Sequence, residues 1–129
     1  MFELTIKGNV YNFKFGMGFM RKLNKELKQP VDGLKDVEQN IGLQYKIACV
    51  MEGDIEALVD ILDAANSGFD PRITRDKIDE YIDDENTDID GLFEKVLDFL
   101  RKANATKKVM QKLDKADAEQ KAKAAAAGN

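Results

Sequence analysis

The chain has 129 residues, 43% of them hydrophobic and 34% charged, with a formal net charge of −4; this is the size of one ordinary domain with a single core. It has no histidine, no tryptophan, one cysteine (Cys49) and one serine (Ser67), which excludes a Ser-His-Asp triad, a Cys-His pair and a Cys/His zinc site built within this chain. No apolar run approaches the ~18 residues of a membrane span, the N-terminus lacks a basic-then-apolar signal pattern, and a lone cysteine fits a reducing cytoplasm.

Phe2-Glu3-Leu4-Thr5-Ile6-Lys7 alternates apolar and polar residues, and Val10-Tyr11-Asn12-Phe13-Lys14-Phe15 does so again. Alternation of period two predicts half-buried strands. The Gly8-Asn9 pair between them predicts a tight hairpin turn. Phe2, Leu4 and Ile6 then share one face of the first strand, and Tyr11, Phe13 and Phe15 share a face of the second. An isolated hairpin is marginal in water, so it must pack on helices.

The rest reads as helix. Met20, Leu23 and Leu27 predict a first helix bounded by Pro30, and a weaker one carries Leu34, Val37 and Ile41. Leu43, Ile47, Val50 and Met51 follow at i, i+4, i+7 and i+8. Gly53-Asp54 reads as a stop and a new N-cap before Ile55, Leu58, Val59 and Leu62. Asn66-Ser67-Gly68 ends that helix, and Asp70-Pro71 marks a turn. Thr74 is placed to cap a short helix with Ile78, Tyr81 and Ile82. Asp88 is placed to cap the strongest one, in which Ile89, Leu92, Phe93, Val96, Leu97 and Leu100 form one continuous stripe. Thr106 is expected to cap a last helix whose large apolar anchors are Val109, Met110 and Leu113. Beyond Leu113 the chain is mainly alanine, lysine, glutamine and acids, which favour helix but bury little.

Charge is unevenly placed. Residues 1–59 carry 8 basic and 8 acidic side chains, residues 60–98 carry 4 and 13, and residues 99–129 carry 8 and 3. The readings are solvated helix faces with a basic tail, or a tail that docks on an acidic surface. Nucleic-acid binding is not expected, because no aromatic residues interleave with the tail lysines.

Five local patterns bear on function. Gly16-Met17-Gly18-Phe19-Met20-Arg21 follows a strand and opens a helix, as a dinucleotide fingerprint does. However, Arg21 replaces the third glycine and the strand belongs to a hairpin, so a strand-to-helix joint is the expected reading. Asp84-Glu85-Asn86-Thr87-Asp88-Ile89-Asp90-Gly91 is calcium-loop-like, but neither register supplies the closing glutamate, which leaves an acidic turn that caps the next helix. Cys49 has no histidine to activate it and reads as packing. Arg72 and Arg75 are expected to pair with neighbouring acids rather than with a partner's carboxylates. The methionines, Met17 and Met20 above all, serve as core filling or as an adaptable groove.

Whole segments carry a resemblance. Met1-Phe2-Glu3-Leu4-Thr5-Ile6-Lys7-Gly8 through Phe13-Lys14-Phe15-Gly16-Met17-Gly18-Phe19-Met20-Arg21-Lys22-Leu23-Asn24, then Gly42-Leu43-Gln44-Tyr45, Arg72-Ile73-Thr74-Arg75, Tyr81-Ile82-Asp83-Asp84 and Leu97-Asp98-Phe99-Leu100-Arg101-Lys102-Ala103-Asn104, resemble the tail assembly chaperones of long-tailed phages and prophages of Gram-positive bacteria. The resemblance covers about residues 1–108. It implies a host-cytoplasmic assembly factor, absent from the mature virion. Such a factor binds the tape measure protein, keeps it soluble and assists tail tube assembly. In many phages a longer frameshifted form recruits tube protein, and this chain, ending at Asn129, is expected to be the short form.

The expected architecture is α+β and mainly α. It has an N-terminal β-hairpin and five or six helices over residues 1–105, then a basic Ala/Lys-rich segment over residues 106–129, an extended helix or partly disordered tail. No enzyme activity and no cofactor or metal are expected. The expected partners are the tape measure protein, tail tube protein through a longer form, and a second copy of the chain, with Val109, Met110 and Leu113 as an exposed partner-binding stripe. The rival readings are a structural tail protein retained in the virion and a small nucleotide-binding protein built on Gly16 and Gly18.

Overall fold

The computed structural model describes residues 2–26, 28–30 and 38–127. Strands β1 (Phe2–Ile6) and β2 (Asn9–Phe13) pair antiparallel, with Phe2 opposite Phe13 and Ile6 opposite Asn9. The turn is therefore Lys7-Gly8, one residue earlier than the Gly8-Asn9 expected from sequence. Lys7 (φ 51°) and Gly8 (φ 80°) both take positive φ, as a two-residue hairpin that follows the strand twist requires. Lys7 tolerates it, which frees Asn9 to pair with Ile6.

Six helices follow: α1 (Met17–Glu26), α2 (Gly42–Met51), α3 (Ile55–Asn66), α4 (Arg75–Asp83), α5 (Ile89–Lys102) and α6 (Lys107–Ala127). Two short strands, β3 (Lys28–Pro30) and β4 (Glu38–Asn40), pair antiparallel between α1 and α2. The expected helix with Leu34, Val37 and Ile41 is thus corrected in part. Leu34 and Val37 lie outside the described residues, as does Leu27 of the first helix. Residues 38–40 satisfy their backbone across a ladder, and Ile41 sits ahead of α2 in non-helical geometry (φ −118°, ψ 4°).

Local chemistry sets the helix starts. The side chains of Asp54, Thr74 and Asp88 accept hydrogen bonds from the backbone N–H of Ala57, Lys77 and Gly91, at 3.1, 3.2 and 3.0 Å. Each satisfies one of the orphan donors of a first turn. Thr106 behaves differently from the expected cap. It is buried, and its hydroxyl donates to the Leu100 carbonyl at 2.6 Å, so it closes the corner between α5 and α6.

The core is continuous. The inner hairpin face (Phe2, Leu4, Ile6, Tyr11, Phe13) joins Leu23 of α1, Ile47 and Val50 of α2, most of α3, Ile78 of α4 and Leu92, Val96 and Leu100 of α5. Phe2 is the aromatic hub, with ring centroids 5.5 Å from Phe13, 5.8 Å from Phe15 and 5.1 Å from Phe99, all edge-on. Such pairs add about 0.5–1.5 kcal/mol each beyond area burial, and they tie the hairpin to the C-terminal end of α5. Beyond β2, the Lys14 N–H donates to the Ala65 carbonyl at 2.9 Å, fixing the hairpin to the end of α3.

Candidate protein-docking groove

A cavity of about 850 Å³ opens where the hairpin, the joint to α1, the end of α3 and the end of α5 converge. Six of the seven phenylalanines line it: Phe2, Phe13, Phe15, Phe19, Phe69 and Phe99. The first four are buried and form its floor, whereas Phe69 and Phe99 are half-buried on its walls. Met17, at the first position of α1, is 47% exposed at the groove. Ala103, Asn104 and Ala105 complete the wall beyond α5. The charged lining residues are Lys14 and Lys102, in a chain with more acids than bases. Lys95 also stands 5.0 Å from the Phe2 ring centroid.

Gly16 and Gly18, singled out from the sequence, line this groove. The strand before them lies in an antiparallel two-stranded sheet, whereas a dinucleotide fingerprint requires a parallel βαβ unit. Their local role is the joint between β2 and α1.

Part of the acidic middle of the chain is engaged with cations: among the described residues Asp60, Asp63, Glu80 and Asp98 form ion pairs. Asp60 accepts from Lys46 of α2 and from Arg75 at 2.7 Å; Asp63 pairs with Arg72 at 2.9 Å and with Arg75 at 3.5 Å. Arg72 and Arg75 therefore pair with neighbouring acids, as the sequence suggested, and clamp the lead-in of α4 onto α3. Burial pushes the Asp60 carboxyl upward, but the hydrogen bonds and charges of Lys46 and Arg75 outweigh this and hold it below its ordinary value. In the calcium-like turn, Asp84 accepts from the Asn86 N–H at 2.9 Å while Asp88 caps α5. Among the described residues no cluster of three or more His, Cys, Asp or Glu is arranged to hold a metal ion. Cys49 is half-buried and packs against the core.

The expected partner-binding stripe needs correction in its geometry. Met110 is 1% exposed and belongs to the core; Val109 and Leu113 are half-buried against it. These large anchors seat the first two turns of α6 on the body. Arg101 reinforces the seat by donating Nε and one terminal nitrogen to the two carboxylate oxygens of Asp114, at 3.0 and 3.1 Å. From Ala118 to Ala126 every residue of α6 is exposed. The helix is roughly 31 Å long at 1.5 Å per residue, and its distal half is solvated.

Two features were missed from sequence. The groove draws on segments near residues 2–19, 64–69 and 99–105, and periodicity within one segment cannot report that convergence. Asn66 was read as part of a helix stop, yet it is buried and accepts from the Ile73 N–H at 2.7 Å. A signal existed, because Leu58, Leu62 and Asn66 follow one another at four-residue spacing on the apolar stripe.

The family model described as phage tail assembly chaperone protein, TAC, matches residues 3–115. The chain belongs to this family. The match runs from Glu3 in β1 through α5 and covers the seated part of α6, so every groove-lining residue except Phe2 lies within it. The resemblance of the sequence segments to tail assembly chaperones is thereby confirmed. Comparison with curated proteins and with solved structures gives no match to this chain. No described helix is long and apolar enough to cross a membrane.

Proposed function

We propose that this protein is a non-enzymatic chaperone that binds the tape measure protein, keeps it soluble and assists tail tube assembly around it. The observation that carries this reading is the family match across the whole packed body, residues 3–115. The physical problem fits. A very long amphipathic helix lacking its tube exposes apolar surface and aggregates, and several weakly bound copies protect it through multivalency. The protein acts in the host cytoplasm and leaves before the virion matures. Tail tube protein is recruited by a longer frameshifted form of the chain. The partner role first expected of Val109, Met110 and Leu113 passes to α6 as a whole: these residues seat it, and its solvated half is offered for self-association or client contact.

The test is solubility. Tape measure protein is expressed alone and together with this chain, and its soluble fraction is measured. The reading predicts a shift from pellet to supernatant on co-expression. Unchanged insolubility, together with recovery of this chain from purified virions by mass spectrometry, would instead favour a structural tail protein.

A further inference from the structure

The groove between the hairpin, α1 and α5 has a chemical character that specifies its occupant. Its large accessible apolar side chains are Met17, Phe69 and Phe99, and its charged lining is Lys14 and Lys102 with no acid. Among the described residues neither lysine has an ion-pair partner. Arg72, Arg75 and Arg101, by contrast, are held by carboxylates of the chain itself. Two free ammonium groups over an aromatic floor complement a segment that presents apolar side chains flanked by carboxylates.

A small molecule fits less well. Such a site fixes its ligand with convergent polar groups, and among the described residues no buried side-chain polar atom lacks a hydrogen-bond partner. Ser67, on the groove wall, already donates to the Ala64 carbonyl at 2.6 Å. The helix end of a second copy fits less well too. This solvated end carries Lys115, Lys121 and Lys123 against Asp117 and Glu119, and its apolar residues there are alanines.

We infer that this groove docks an acidic amphipathic helix of the client, with its apolar stripe on Met17, Phe69 and Phe99 and its Asp or Glu residues on Lys14 and Lys102. The inference rests on the chaperone reading above. A series of such short docking events along one client suits weak, repeated binding.

The test uses the full chain co-expressed with the tape measure protein. The variants are Met17→Glu, Lys14→Glu/Lys102→Glu and the milder Lys14→Gln/Lys102→Gln, with Tyr45→Glu as an exposed control on α2. Captured tape measure protein, the mass of the free chain by light scattering and thermal unfolding are measured together. The expected result is a loss of capture of about tenfold or more in the groove variants, with Tm within about 3 °C of wild type. The control keeps full capture, and wild-type capture weakens as salt screens the lysines. Folded groove variants that capture as much client as wild type would overturn the inference while leaving the chaperone reading intact. Loss of self-association with client capture unchanged assigns the groove to a second copy and also overturns it. A wild-type chain that captures nothing overturns the chaperone reading and this inference together.

Discussion

Asn66, the last residue of α3, donates from Nδ2 to the Asn12 carbonyl in β2 at 2.9 Å, across 54 residues of sequence. The same amide donates to the Pro71 carbonyl at 3.3 Å, while its oxygen accepts from the Ile73 N–H at 2.7 Å and from Arg72 at 3.1 Å. One buried side chain thus joins the hairpin, the end of α3 and the lead-in to α4, beside the wall of the groove. Asn66→Ala leaves several of these groups without partners, and stability should fall by about 3 kcal/mol. Urea unfolding measures it; a loss under about 0.5 kcal/mol would show that this junction contributes little.

Asp60 gives a pH signature. The hydrogen bonds and charges of Lys46 and Arg75 hold its folded pKa below the ordinary carboxylate value, so the folded state favours the ionised form. The resulting stability is present in full above the unfolded pKa and is lost as pH falls through the depressed folded value. Asp60→Asn should destabilise by roughly 1 kcal/mol at neutral pH, a modest figure because Arg75 is well exposed to solvent. The gap between mutant and wild type should close as pH drops below about 4. Thermal unfolding of both proteins across this range tests it, and a gap independent of pH would contradict the ion-pair account.

Gly42 opens α2 against α1. A Cβ built there would lie 1.8 Å from the Leu23 carbonyl oxygen, and backbone on that side cannot swing away as a side chain can. The adjoining Leu43 N–H donates to Asn24 Oδ1 at 2.9 Å, which holds the two helices at this close approach. Gly42→Ala should cost more than about 3 kcal/mol. Chemical denaturation would settle it, and a neutral effect would mean that α1 and α2 separate without penalty.

Much of the fold was legible because its signals are local. Asp54, Thr74 and Asp88 each cap a helix through a bond to a residue three positions on, which spacing alone reveals. The stripe from Ile89 to Leu100 needs only one helical period. The hairpin was legible, but its turn shifted by one residue because Lys7 takes the positive φ that Gly8-Asn9 had been expected to supply. The strand Glu38–Asn40 was not legible, since three polar residues carry no alternation and their pairing with Lys28–Pro30 is not local. Met110 misled for a related reason. Sparse anchors in an otherwise Ala/Lys-rich helix read as an exposed stripe, whereas the core beside α5 absorbs them.

That burial divides α6 into two parts with different roles. Met110→Ala should cost about 2–4 kcal/mol, as for other buried large-to-small changes. Deleting residues 118–129, of which 118–126 are exposed helix, should change stability by less than about 1 kcal/mol. Denaturant unfolding of the two variants separates the seated and the solvated part. Equal losses would contradict the division.

Capture of the tape measure protein tests the central claim most directly. The tagged chain and the tape measure protein from the same phage are co-expressed, the tag is purified, and the composition of the soluble complex is measured. The account predicts soluble tape measure protein carrying several copies of this chain. Tape measure protein that stays insoluble, with none retained on the tagged chain, would contradict it.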